Sequence, residues 1–195
     1  MHDIEPYYRW REYYIAAEDS DSPFFGRQYS EVSFTQRLYN FYLHPQWDAF
    51  GSSTLYGKIL FADYEEGYAL IELIGEWNDA LHNDIMYLKR NIADHLYDKG
   101  ISKYIFFCEN VLNYHSTLDD DYYAEWYEEV TDEMGWIVLV NTRQHFQEEM
   151  EDAHLDRYLL FGEHFNDLHW QIQPKPQFVY AMIEALVHNR VKRIS

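Results

Sequence analysis

The chain has 195 residues, 47% of them hydrophobic and 19% aromatic, and carries a formal net charge of −19. Length and apolar content fit one folded domain with a sizeable core and exclude disorder of the whole chain. The charge disfavours a nucleic-acid backbone or an anionic membrane as a direct partner and leaves a basic protein, or none, as the expected one.

Residues 1 to 50 read as an aromatic N-terminal extension and residues 51 to 195 as an α/β domain. Tyr7, Trp10 and Tyr14 have helical spacing, which predicts a short helix before the Asp19-Ser20-Asp21-Ser22-Pro23 loop. Residues 29 to 44 fit a strand through Val32 and Phe34 or a helix through Leu38, Phe41 and Tyr42. The first segment has no basic region followed by an apolar one, and no apolar run approaches a membrane span, so the cytoplasm is the expected location.

From Leu55 the pattern sharpens. Strands are predicted at 58–62 and 68–74, joined by Asp63-Tyr64-Glu65-Glu66-Gly67 as an antiparallel hairpin. Leu81, Ile85, Leu88, Ile92 and Leu96 line one face of a helix that stops at Gly100. A buried strand at 103–109 leads into a loop at 110–118 and an acidic helix at 119–134, with Tyr123, Trp126, Tyr127, Val130 and Met134 turned inward and Gly135 ending it. A strand at 136–140, a helix at 143–154 capped by Thr142, a strand at 158–161 and a helix at 176–191 complete the order. Strands separated by helices imply right-handed crossovers. The fold class expected is α/β: a mostly parallel sheet with an antiparallel hairpin at its start and helices packed on it.

In such sheets, ligands bind beyond the carboxyl ends of the strands. Glu76, Glu109, Asn110, Asn141 and His164 fall there and are the candidate ligand-pocket residues, although strand ends are polar in any protein. No catalytic residue is assigned. Cys108 lies within a strand beside Glu109, which opposes thiolate formation, so it reads as a buried structural thiol; a lone cysteine also rules out an intramolecular disulfide. His145 with Glu149, and Glu151 with His154, have metal-site spacing but no second copy on another helix. No metal and no cofactor is expected.

The segment Phe107 to Leu118 and the order of elements from 55 to 191 resemble the STAS / SpoIIAA-like group. That group also opens on antiparallel strands and then alternates helices with strands. Its regulatory members carry a phosphorylatable hydroxyl in the loop before a partner-binding helix. Ser116 and Thr117 stand where the group has its hydroxyls, while His115 stands in place of an Asp and Leu118 in place of a Gly. The resemblance implies a non-catalytic adaptor or regulatory module. Its partner-binding candidates are Ser116, Thr117, Tyr122, Trp126 and Tyr127, the acids of the helix steering a basic partner. The alternatives are a small-molecule binder or enzyme using the strand ends, and a homo-oligomer formed through the aromatic first 50 residues.

Overall fold

The computed structural model describes residues 3–30, 32–117 and 119–194, residues 190–194 by backbone alone. Four strands form one mixed sheet, β3 (Leu55–Asp63), β4 (Tyr68–Asn78), β5 (Lys103–His115) and β6 (Trp136–Val140), adjacent in that order. The β3–β4 pair is antiparallel; β4–β5 and β5–β6 are parallel. Its leading hairpin turns at Gly67, whose φ of 72° suits a residue without a Cβ. A separate two-stranded ribbon, β1 (Arg37–Leu38) with β2 (Phe41–Tyr42), stands before the sheet. Among the described residues no helix is long and apolar enough to cross a membrane.

Each sheet face has its own core. On one face pack α2 (Asp84–Leu88), α3 (Asp94–Tyr97), α4 (Asp121–Asp132) and α5 (Gln144–Asp152), through residues such as Leu88, Leu96, Trp126 and Phe146. On the other packs α6 (Pro176–Ile194), through Val179, Ile183 and Val187. The N-terminal segment joins both, Trp10 lying in the α6-side core and Ala16 and Phe24 in the opposite one. It therefore crosses the edge of β3, which bears no other strand of the sheet.

Several elements depart from the sequence reading. Residues 9–13 form consecutive turns, with the N–H groups of Tyr13 and Tyr14 both donating to Trp10 O, rather than a helix. The helix expected to carry the stripe from Leu81 to Leu96 is broken at Asn83 (φ 51°), which separates α1 (Asp79–His82) from α2 and leaves Leu81 79% exposed. A π-helical turn at Lys89–Ala93 then adds a residue to the spiral and buries Lys89 beside Leu88. The Lys89 ammonium meets Asp94 at 2.7 Å, Glu129 at 2.8 Å and Glu125 at 3.3 Å. Burying that charge is tolerable only with such close partners.

The acidic helix ends at Asp132, and Met134 (φ 56°) takes the left-handed position expected of Gly135. Gly135 is needed for another reason: a Cβ there would lie 2.0 Å from the Ser102 carbonyl oxygen. Met134 and Tyr127, expected inward, are exposed. Thr142 does not cap α5; its hydroxyl accepts from Gln147 Nε2 at 2.8 Å. The strand expected at 158–161 is a single parallel bridge between Val138 and Leu160, because the chain turns away at Gly162.

Trp126 is fully buried with its ring 5.1 Å from that of Tyr104 and 5.8 Å from that of Phe106, whereas Tyr127, its neighbour, leans outward on Tyr158. Trp126→Ala is expected to lower the unfolding free energy from denaturant titration by about 3–5 kcal/mol. Tyr127→Ala is expected to lower it by less than about 1 kcal/mol. Equal losses would contradict this packing.

Candidate functional site

The strand ends are built by a mismatch in length. β5 has 13 residues and β4 has 11. Between the pairs Glu72↔Phe107 and Ile74↔Asn110, and again between Gly75↔Val111 and Trp77↔Tyr114, β5 takes three steps to two on β4. Each bulge adds one residue and resets which face the next side chain meets. Phe106, Cys108, Val111 and Tyr114 consequently all reach the α4-side core. Their spacing of two, three and three is not that of a regular strand, and this is why residues 110–115 read as loop in the sequence. The pairs Glu109-Asn110 and Leu112-Asn113, half-buried, stand between the inward positions.

Three carboxylate–carboxamide contacts follow from this. Glu72 Oε1 accepts from Asn110 Nδ2 at 3.3 Å, and Glu72 Oε2 from the Tyr7 backbone N–H at 2.7 Å. Glu76 Oε1 accepts from Asn113 Nδ2 at 3.1 Å, while Oε2 accepts from the Tyr39 hydroxyl and lies 3.7 Å from His115 Nε2. Glu109 Oε1 accepts from Asn141 Nδ2 at 2.6 Å, Trp170 Nε1 at 2.5 Å and Gln171 Nε2 at 3.2 Å. Asn141, held at φ 56°, also clasps the Leu168 backbone through both ends of its amide.

Two clefts open along this row. One, of about 410 Å³, is lined by Tyr7, Tyr8, Glu72, Trp170 and Ile172 among others; the second, of about 530 Å³, by Glu109, Asn141, Arg143, His169 and Gln171 among others. Of the sequence-predicted pocket residues, Glu109 and Asn141 line the second cleft, Asn110 touches the carboxyl of the first, and Glu76 lies further along β4. His164 lies exposed in the short turn Glu163–Phe165 and lines neither cleft; His169 lines the second instead. Glu72, missed by sequence reasoning, is the most deeply buried of the three acids. Its signal was available: a lone carboxylate inside the apolar run Tyr68–Ile74.

Burial pushes the Glu72 carboxyl up to about 8, Glu109 adding to the rise and the Tyr7 N–H and Asn110 opposing it. Burial likewise raises Asp79 to about 6, although Tyr123, the Ile85 N–H and Tyr114 all donate to it. Burial, then Glu109, pushes the Cys108 thiol well above its ordinary value, as a structural thiol requires. Among the described residues no group of three or more His, Cys, Asp or Glu side chains is placed to hold a metal ion.

The partner-binding candidates are dispersed. Ser116 is exposed and Thr117 half-buried, directly after β5; Leu118 lies outside the described residues. The cap of α4 is Asp120, so neither hydroxyl occupies the helix start. Tyr122 is half-buried, with the Arg90 guanidinium 5.4 Å from its ring centre, and Tyr127 is exposed. Trp126, expected to anchor a partner, instead faces the core and offers no surface, because α4 needs its largest ring to cover Tyr104 and Phe106. The acids of α4 are also less free than their number suggests, since Glu125 and Glu129 pair with Lys89 and Arg90.

Exposed rings lie elsewhere. In the β1–β2 ribbon Leu38 is buried against Leu43, Trp47, Tyr56 and Ile74, and the Tyr56 hydroxyl donates to Arg37 O at 2.9 Å. Tyr39, Phe41 and Tyr42 remain exposed, and the Tyr39 hydroxyl ties the ribbon to Glu76.

No family model and no curated protein matches the chain. Solved structures similar to it include that of a Thermotoga maritima protein assigned as an anti-sigma factor antagonist. That likeness has 16% identity and a TM-score of 0.38, covering 55% of this chain and 84% of that one. Another is the phosphorylated Bacillus cell-fate determinant SpoIIAA, at 10% identity and a TM-score of 0.37, covering 55% of this chain and 91% of that one.

An acid whose pKa is raised on folding binds more protons in the folded than in the unfolded state, so stability falls as pH rises between the two values. For Glu72 that window runs from about 4.5 to about 8. The melting temperature of the wild type is expected to drop across it, with a loss on the order of a few kcal/mol. Glu72→Gln, which keeps the shape and an acceptor for Tyr7, should flatten most of that drop. An equally steep profile in the variant would assign the dependence to another group.

Proposed function

We propose that the chain is a cytoplasmic, non-catalytic protein-binding module that docks a basic partner on the rim formed by the β1–β2 ribbon and the adjoining ends of β4 and β5. The observation that carries this reading is the exposure of Tyr39, Phe41 and Tyr42, at 63%, 58% and 40%, on a ribbon whose Leu38 is anchored at 1%. Three exposed rings within four residues on a seated ribbon, Tyr42 with the Arg37 guanidinium 4.2 Å from its centre, suit an interface centre, where aromatics and Arg are enriched. The acids nearby support the same reading. Glu76 and Glu109 are engaged by donors from their own chain, so they hold the sheet end together rather than flank an open reacting position.

The net charge of −19 supports a partner of opposite sign, drawn in by long-range attraction. Exposed Asp119, Asp121 and Ser116, with half-buried Thr117, follow β5 and extend the rim towards α4, to which Tyr122 and Tyr127 belong. A second reading, a small-molecule binder at the strand ends, is favoured by one observation, the buried Glu72 carboxyl on the wall of the 410 Å³ cleft.

The deciding experiment is chemical cross-linking and affinity capture from the native host, with wild type, Phe41→Ala and Glu72→Gln as baits. Phe41 is exposed and its ring makes no hydrogen bond, so Phe41→Ala should change stability by less than about 0.5 kcal/mol. It should lower capture of the wild-type partner by about tenfold, a loss of about 1.4 kcal/mol. Capture untouched by Phe41→Ala but abolished by Glu72→Gln would move the function to the strand-end cleft.

A further inference from the structure

We propose that the cavity between the N-terminal segment and β3 binds a small aromatic carboxylate. This cavity, of about 300 Å³, adjoins the smaller strand-end cleft at Tyr7 and includes no residue of the ribbon. Its walls carry three cations, Arg11, Arg27 and Lys58, in a chain that holds only 15 Lys and Arg against 34 Asp and Glu. A concentration of positive charge on so negative a body requires a local cause.

The buried carboxylate of Asp48 accounts for part of it. Asp48 Oδ1 takes Arg27 Nη1 at 3.1 Å and the Tyr29 hydroxyl at 2.7 Å, and Oδ2 takes Lys58 Nζ at 3.0 Å. One negative charge thus faces two positive ones. Arg11 is left over: among the described residues its side chain makes one hydrogen bond, at 3.4 Å to the neutral Gln46 Oε1, and no ion pair with a carboxylate. Glu18, exposed, also lines the wall, so the count is three cations to two carboxylates. The imbalance is felt by Lys58, whose ammonium is held below its ordinary value by burial first and by Arg11 and Arg27 in addition, against the pull of Asp48.

The remaining wall is mostly apolar, part aliphatic (Ile15, Ile59 and Leu60 among others) and part aromatic. Tyr7, Trp10, Tyr14 and Tyr29 line the cavity, and the Lys58 ammonium sits 3.8 Å from the centre of the Tyr29 ring. Such walls stack or edge against a ring in the ligand, while the guanidinium of Arg11 matches a carboxylate in the plane of its fork. The volume equals roughly ten water molecules in the liquid, room for one ring and one carboxylate. Because Asp48 holds Arg27 and Lys58 in place, the site is arranged before the ligand arrives.

Titration calorimetry and thermal shift on the full chain test this, with benzoate as the probe, benzyl alcohol as the ring without charge and inorganic phosphate as the charge without a ring. Benzoate is expected to bind one per chain and raise the melting temperature. The other two should bind at least about tenfold more weakly. Lys58→Met removes a partner of buried Asp48 and is expected to unfold the segment, so the informative variant is Arg11→Gln, at an exposed position outside the Asp48 network. It should leave the melting temperature of the free protein unchanged and weaken benzoate about tenfold or more. Benzyl alcohol or phosphate binding as tightly as benzoate, no benzoate signal up to its solubility limit, or full benzoate affinity in Arg11→Gln would each overturn the proposal.

Discussion

Everything in this molecule is arranged around β4. All of its 11 residues are buried, and its backbone is paired on both sides, antiparallel to β3 and parallel to β5. A strand covered on both faces needs two cores, and two cores need helices on both sides of the sheet. The α4-side helices and α6 meet that demand, and the N-terminal segment, passing over the β3 edge, supplies rings to each. Glu72 and Glu76 are the cost of extending such a strand with polar residues. Having been taken out of water, they must find donors, and the bulges of β5 deliver Asn110 and Asn113 to them.

Charge is handled by a similar logic. A net −19 would destabilise a compact body through self-repulsion, and the few cations are stationed where the acids are densest or deepest. Lys89 and Arg90 knit α4 to the preceding helix through Asp94, Glu125 and Glu129, and Arg157 with the Tyr158 hydroxyl holds Asp120 ahead of α4. Arg27 and Lys58 hold Asp48 against β3. The outward charge is therefore less evenly spread than the sequence suggests, and the acidic face of α4 is in part an internal fastening.

The architecture was legible because hydrophobic period and turn residues agree over the central part of the chain. The hairpin through Gly67, the apolar run at 103–108, the stop at Gly100 and the stripe Val179, Ile183 and Val187 all have single readings. What was hidden has local causes. The bulges gave Val111 and Tyr114 a spacing that belongs to neither a strand nor a loop, and with it concealed the end of β5. Asn83 and the π-helical turn rotated Leu81 out and Lys89 in, which no uniform helical period anticipates. Trp126 and Tyr127 are adjacent rings on one helix, and only the position of Tyr104 and Phe106 decides which of them is covered. The candidate acids were found by their place at strand ends, whereas Glu72 and the exposed ribbon rings depend on contacts remote in sequence.

The N-terminal segment has a consequence for how the chain folds. Trp10 Nε1 donates to Gln173 O, 163 residues away, and the Tyr7 hydroxyl to Gln171 O, 164 residues away. Contacts of such separation close very long loops, and the entropy of closing them must be met before the contacts reward it. Tyr7 and Trp10 thus wait on Gln171 and Gln173, and until those residues are in place the edge of β3 and parts of both cores stand open to other chains.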